Sequence, residues 1–423
     1  MSVGVRSGLQ WTVAELDELA EQAELQRWED PVGRTPVWSR PDFRRVTLEL
    51  PQHPILHLVA HRNGRPVLLA PVLRSERPGG LLFYDVPAMV GDERAFGDST
   101  RLDETAQHRL AELPVKSARS AAYPSLAVGT YGAHHGLLAA PELTEEDRIT
   151  ACRQLVHAVA DLAEEYGCTS HALLYTTTQL TRWLLPELGP QHQVAVLGAE
   201  SVLECGGTSW QDYLDGLSSR RRGRILRERR MYLGGPATSD IATGPDAIGE
   251  DLVDLRCNLR LRYGLPEERE RTVAEFTALA RWCGDRLVVI RSRIEGDTVG
   301  FVICLRDGDT LFARTAGFDY DRLGSRDFCY FNIVYYDALE WGLPRGVHRL
   351  ELGLAAYPAK RTRGCRFEPR FGVFTLPPDS PLRTALALQD QGERARLVAE
   401  CGDAVPADEL RLREGMVDGR HDV

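Results

Sequence analysis

Arg286-Leu-Val-Val-Ile-Arg-Ser-Arg-Ile294, Glu295-Gly-Asp297, Val299-Gly-Phe-Val-Ile-Cys-Leu305, Asp307-Gly308 and Thr310-Leu-Phe-Ala-Arg-Thr-Ala-Gly317 follow one another along the chain. Apolar, β-branched runs joined by short Gly-containing turns predict an antiparallel meander of three strands. A helix is expected next, from Phe328 to Trp341, because Phe331, Val334, Tyr335 and Ala338 recur at helical spacing. A strand at His348–Leu352 and an extended stretch at Phe371–Leu376 close this half.

The other half repeats the order. Ile55-Leu-His-Leu-Val-Ala60 and Pro66-Val-Leu-Leu-Ala-Pro-Val-Leu73 flank Asn63-Gly64, a strong hairpin signal. A third strand is expected at Leu81–Val86, then a polar helix near 101–113 and an extended stretch at 125–128. A long helix from Glu145 to Tyr166, a strand at His171–Thr176, a short helix and a strand at Gln193–Leu197 complete it. Meander, helix and strand thus occur twice. The class is α/β (α+β), with two lobes, each a mixed β-sheet with flanking helices.

Between the lobes lies a helical segment. Thr208-Ser-Trp-Gln211 reads as a capping box, and Ser218-Ser219 caps a second helix, Arg220 to Arg230, which carries seven arginines. It ends at Gly234-Gly-Pro236, and two helices at about 245–263 and 266–283 follow, with Pro266 in a first turn. At the start of the chain, Thr12-Val-Ala-Glu15 reads as a capping box opening an acidic helix. The expected division is a helical segment over 1–50, a first lobe over 51–205, a second over 206–376 with the Arg-rich helix, and a C-terminal helix and tail over 377–423.

Composition bounds the function. The chain has 423 residues, 43% hydrophobic and 26% charged, as in soluble globular proteins of more than one domain. No apolar run approaches the roughly 20 residues of a membrane span, and no signal pattern opens the chain, so a cytoplasmic protein is expected. Nine cysteines without a C-x-x-C pair suggest reduced thiols. His134-His135 is adjacent and unsupported, and no metal is expected. A net charge of −10 argues against DNA and whole-surface nucleic-acid binding but leaves room for a local basic patch.

Trp210-Gln-Asp-Tyr213-Leu, Ser218-Ser-Arg-Arg-Arg222 with Arg227, Ala316-Gly317-Phe-Asp-Tyr320, Tyr330-Phe-Asn332-Ile-Val-Tyr-Tyr336, and Leu352-Gly-Leu through Lys360 to Arg363-Gly364 carry a likeness. With the doubled architecture, these residues resemble the tandem acyltransferases of the GNAT superfamily, and more narrowly the Fem-type peptidoglycan aminoacyltransferases. The resemblance covers roughly residues 50–376 and is strongest over 208–366. It implies two GNAT-like lobes and amide formation on a small amine, with aminoacyl-tRNA as donor and no bound cofactor. Simple GNAT enzymes hold the acyl-CoA pyrophosphate on a Gly-rich loop at a helix start. Here that place reads Gly317-Phe-Asp-Tyr-Asp-Arg-Leu-Gly-Ser-Arg326, which lowers the expectation of CoA. The alternatives are an acyl-CoA- or thioester-dependent N-acyltransferase and a non-catalytic module binding a partner protein or RNA.

Amide formation needs a deprotonated amine, a positioned acyl carbonyl and a stabilised oxyanion. Only two lysines, Lys116 and Lys360, stand among 51 basic residues, so each is a candidate for a place where Arg would not serve. Lys360 follows a predicted strand on a Gly- and Pro-rich loop and is the candidate for stabilising the oxyanion or leaving group. Arg361 and Arg363 beside it suit phosphate contact. Asp319 and Glu351, at strand ends, are candidate general bases. Tyr330, Asn332, Tyr336 and Tyr357 are candidates for substrate binding, and Lys116 for an acceptor phosphate or carboxylate. Arg221, Arg224 and Arg227 on the basic helix are candidates for an RNA backbone.

Overall fold

The computed structural model describes residues 2–6, 8–15, 23–50, 55–79, 81–262, 264, 269–324 and 327–412. In chain order, strands β1 (Ser2–Arg6) and β2 (Leu9–Glu15) come first, then β3 (Ile55–Arg62), β4 (Arg65–Ser75), β5 (Ser125–Val128) and β6 (Leu138–Ala139). Helix α1 (Glu145–Glu165), β7 (Ser170–Thr177) and β8 (His192–Glu204) follow. Then come α2 (Ser219–Leu233), β9 (Thr238–Thr243), α3 (Asp251–Arg262), α4 (Arg269–Cys283), β10 (Leu287–Ile294), β11 (Asp297–Asp307) and β12 (Thr310–Phe318). After a helical stretch over 329–342 come β13 (Arg349–Glu351), α5 (Tyr357–Arg361), β14 (Arg366–Thr375) and α6 (Pro381–Cys401).

The chain forms two compact units. The first comprises 1–41, 52–200 and 367–423, and the second 42–51 and 201–366. The expected 206–376 lobe therefore loses its last strand: β14 pairs antiparallel with β7 of the first unit, Phe371 opposite Thr176. The C-terminal helix also belongs to the first unit. Chain order shows that a strand exists but not its partner, because pairing is non-local.

In the first unit β1 to β4 are antiparallel neighbours, β5 joins β4 antiparallel, and β7 lies parallel to β5. Two expectations fail here. Thr12–Glu15 is not a helix start: Leu9–Glu15 is a strand paired with β3, Trp11 opposite Ala60, and the rest of the expected helix, over 16–22, lies outside the described residues. Leu9 and Trp11 alternate into the core, and that period of two prevails over the capping-box pattern. Leu81–Val86 is no strand either. Leu82–Tyr84 is a 3₁₀ turn, and Asp85 caps a short helix, Val86–Met89, with Pro87 in its first turn.

In the second unit β9 to β12 form an antiparallel series, with β9 an edge strand that the sequence reading passes over. β13 then pairs parallel with β12 and antiparallel with β8. The capping box is displaced by one residue, to Ser209 and Asp212. Pro266 lies outside the described residues. Gly317 lets α3 approach the sheet, since a Cβ there would come within 2.5 Å of the Leu255 carbonyl carbon.

Candidate active site

The parallel pair β12–β13 is short. Thr310–Phe312 face Arg349–Glu351, whereas β12 continues to Phe318 after a bulge at Arg314. Beyond Phe312, β12 has no strand partner on that edge among the described residues. β13 instead gives way to the loop 352–356. The two strands of a parallel pair that separates toward their C-terminal ends create a place for a ligand.

Lys360 organises that loop. It is buried, 2% exposed, in the short helix α5. Its Nζ donates to the carbonyl oxygens of Leu352 at 2.8 Å, Gly353 at 2.7 Å and Leu354 at 3.5 Å. An ammonium has three donors, and here they converge on three consecutive carbonyls. Each trans peptide that turns its C=O inward turns its N–H outward. The amides of Gly353, Leu354 and Ala355 therefore face away from the ammonium. Ala355 and Ala356 hold φ of 72° and 53°, a left-handed conformation that costs non-glycine residues energy and persists only when the surroundings impose it. The sequence reading placed Lys360 on an accessible loop; the structure places it inside one, pointing at backbone.

A second cluster packs beside it. Arg363, 2% exposed, donates from Nη2 to Glu228 Oε2 at 2.6 Å and from Nε to the Tyr336 hydroxyl at 3.2 Å. The Tyr336 hydroxyl also donates to Glu228, and the guanidinium carbon lies 3.2 Å from the Phe331 ring centroid. Burial raises the Tyr336 phenol, so it remains a donor. Asn332 and Tyr336 bound a π-helical turn, Asn332–Tyr336, an uncommon feature often found at functional sites. Asn332 accepts from Arg229 at 3.1 Å, and Arg229 also pairs with Asp337 at 2.6 Å and with Glu340.

The inner face of α2 thus carries Glu228 and Arg229 into this cluster. Sequence reasoning missed both. The available signal was Glu228 itself, the one acid among the seven arginines of 220–230.

The remaining candidates are more dispersed. Tyr357 is fully buried, Tyr330 is half-buried against Phe318 and Phe331, and Arg361 is half-buried. Asp319 directly follows β12 and accepts the backbone N–H of Asp321 and Arg322. Glu351 ends β13 and accepts from Arg349 at 2.9 Å, which also holds Glu204. Lys116 is exposed on a helical turn of the first unit. On α2, Arg220, Arg224, Arg227 and Arg230 form one exposed stripe, with no side-chain bond to another of the described residues. Arg221 is half-buried off that stripe.

In the first unit, the His134-His135 pair has support after all. Asp30, distant in sequence, places Oδ2 at 3.4 Å from His134 Nε2 and 3.3 Å from His135 Nε2. Burial pushes Asp30 up to about 7 and His135 down to about 3, with Arg370 nearby lowering His135 further.

Comparison with known proteins gives the family. A family model described as peptidoglycan biosynthesis/recognition matches residues 130–400, well over half of the chain. The chain belongs to the FemAB-like family. No curated protein matches its sequence. Among solved structures, FemX is similar at 9% identity and a TM-score of 0.52, over 86% of this chain and 96% of that one, a likeness of fold. A tandem GNAT protein from the clavulanic acid biosynthesis pathway matches at 11% identity and a TM-score of 0.44, over 86% and 98%. The C-terminal domain of a putative lysylphosphatidylglycerol synthetase from Agrobacterium fabrum matches at 14% and 0.43, over 65% and 82%. The FemAB-like chain thus has a Fem-type fold, and the family supports an acyltransferase of peptidoglycan-related kind. No helix among its described residues is long and apolar enough to cross a membrane.

Proposed function

We propose that the protein forms an amide bond, transferring an aminoacyl group from aminoacyl-tRNA to a small amine, at the opening between β12 and β13. The observation that carries this reading is the loop 352–356 held by Lys360. The outward amides of Leu354 and Ala355 can hydrogen-bond an oxyanion, with the buried ammonium fixing their direction rather than touching the substrate. Asp319 and Glu351 stand at the ends of the two separating strands, where a carboxylate can take the amine proton. Tyr330 and Arg361 would border the acyl side, with Asn332, Tyr336, Tyr357 and Arg363 buried behind them.

The exposed stripe of α2 supports the choice of donor. Four arginines aligned on one face of a chain with net charge −10 suit a phosphodiester backbone through counterion release. Replacing Arg220, Arg224 and Arg227 together by Gln should weaken tRNA binding. Each lost contact should reduce the slope of log K against log salt by roughly one unit or less. The corresponding triple with Arg221 in place of Arg220 should do less. Filter binding across a salt series measures both, and an unchanged slope would remove RNA from the reading of this helix.

A further inference from the structure

The Asp30, His134 and His135 cluster plays no part in the reading above. It lies wholly within the first unit. All three side chains are more than nine-tenths buried, and their donor atoms lie within 4.8 Å of one another. Asp30 Oδ2 and His135 Nε2 have no hydrogen-bond partner although both are shielded from water. Such orphaned groups are costly and call for a physical explanation.

The separations supply one. Both histidine Nε2 atoms face Asp30 Oδ2, at 3.3 and 3.4 Å, with no hydrogen bond at His135 Nε2, and the three ligand atoms lie within 4.8 Å of one another, as around a common centre. Bonds of about 2.0 Å in tetrahedral geometry put neighbouring ligand atoms about 3.3 Å apart. We propose that Asp30 Oδ2, His134 Nε2 and His135 Nε2 bind one divalent cation of the zinc type. Two imidazoles and one carboxylate form a borderline set suited to zinc. The fourth position is left to water.

The charges nearby permit this. Arg370 is paired with Glu368 at 3.5 Å, and Arg148 with Glu29 at 3.9 Å. Asp30 Oδ1 is already held by the Val32 amide at 2.9 Å, which leaves Oδ2 to face the histidines. The cation would clasp the stretch around Asp30 to the loop 130–137. The two segments already meet through the Glu29–Ala139 bridge.

Binding carries a proton shift. The amides of Gly136 and Leu137 each donate to a ring Nδ1, of His134 and His135 respectively, at 3.1 Å. Each neutral ring therefore carries its proton on Nε2. Ligation at Nε2 moves that proton to Nδ1, and the two amide bonds are given up. Gly136, at φ 72°, can turn its peptide more readily than another residue could. This exchange weakens binding, so the expected Kd is micromolar rather than the tighter value of a preformed site.

The full chain, freed of metal with EDTA, is titrated with ZnCl₂ by calorimetry, and with Co²⁺ by absorption because nine free cysteines could also take metal. One equivalent should bind, and Co²⁺ should give d–d bands without a thiolate charge-transfer band. Asp30→Asn and His135→Gln should each weaken binding roughly tenfold or more, the loss of one of three ligands. A readout on the unaltered chain does not depend on those variants folding: with ¹⁵N-histidine labelling, zinc should move the protonated nitrogen of two rings from Nε2 to Nδ1. Absence of stoichiometric binding, a thiolate band, or unchanged ring tautomers would overturn the site.

Discussion

Lys360→Met should unfold the loop 352–356 and abolish most acyl transfer together. The substitution keeps an unbranched side chain of nearly the same length and removes the ammonium that donates to the carbonyls of Leu352 and Gly353, of which Gly353 keeps the Ser201 amide. Each buried acceptor left without a donor costs about 1–3 kcal/mol. The outward amides lose the constraint that fixes them, and losing one oriented oxyanion donor typically lowers turnover by roughly 10²- to 10³-fold. Lys360→Arg is also expected to fail. A planar guanidinium cannot direct three hydrogen bonds to carbonyls gathered around one nitrogen, and at a position only 2% exposed its extra bulk must be fitted among packed neighbours. From the sequence alone, this exchange would be expected to alter turnover while leaving the fold unchanged, because it would fall on a surface loop. Burial changes that expectation to a loss of both. Hydrogen exchange over 352–365 and turnover, measured on both variants, test it. Protected amides with normal turnover in Lys360→Arg would mean that any cation serves there.

Glu228→Gln should destabilise the second unit by about 3–5 kcal/mol, the usual result of leaving one member of a buried ion pair uncompensated. Arg363 would remain charged and buried with only an amide opposite it, and the Tyr336 hydroxyl would lose its ionic acceptor. Pairing Glu228→Gln with Arg363→Met should recover much of the loss, since removing both charges removes the uncompensated one. The readout is exchange protection in 329–342, the stretch that α2 holds through Glu228 and Arg229. Losses that simply add in the double variant would show that the two side chains are not coupled.

How much of this was legible depended on where the signal lay. The second meander could be read because each turn is local: Glu295-Gly-Asp297 and Asp307-Gly308 join strands that pair with each other. Leu9–Glu15 was misread because its partner, β3, begins at Ile55, while the competing Thr12–Glu15 pattern is contiguous. The same limit hid the pairing of β14 with β7 and the place of the C-terminal helix.

At the candidate site, the scarcity of lysine pointed to the right residue with the wrong orientation. A sequence shows that Lys360 is unusual but not that three carbonyls turn toward it. Glu228 was visible as a lone acid among arginines, but its partner Arg363 lies 135 residues away. Asp30 offered no signal at all, since nothing near it in the chain suggests two histidines more than a hundred residues on.

The central claim is aminoacyl transfer from tRNA to an amine. It is tested most directly by incubating the purified protein with charged total tRNA and a panel of small amines, with and without ribonuclease, and identifying products by mass spectrometry. The account predicts a new amide bearing an amino acid, formed only with active protein and lost on ribonuclease treatment. An amide that forms from acyl-CoA and is indifferent to ribonuclease would contradict it.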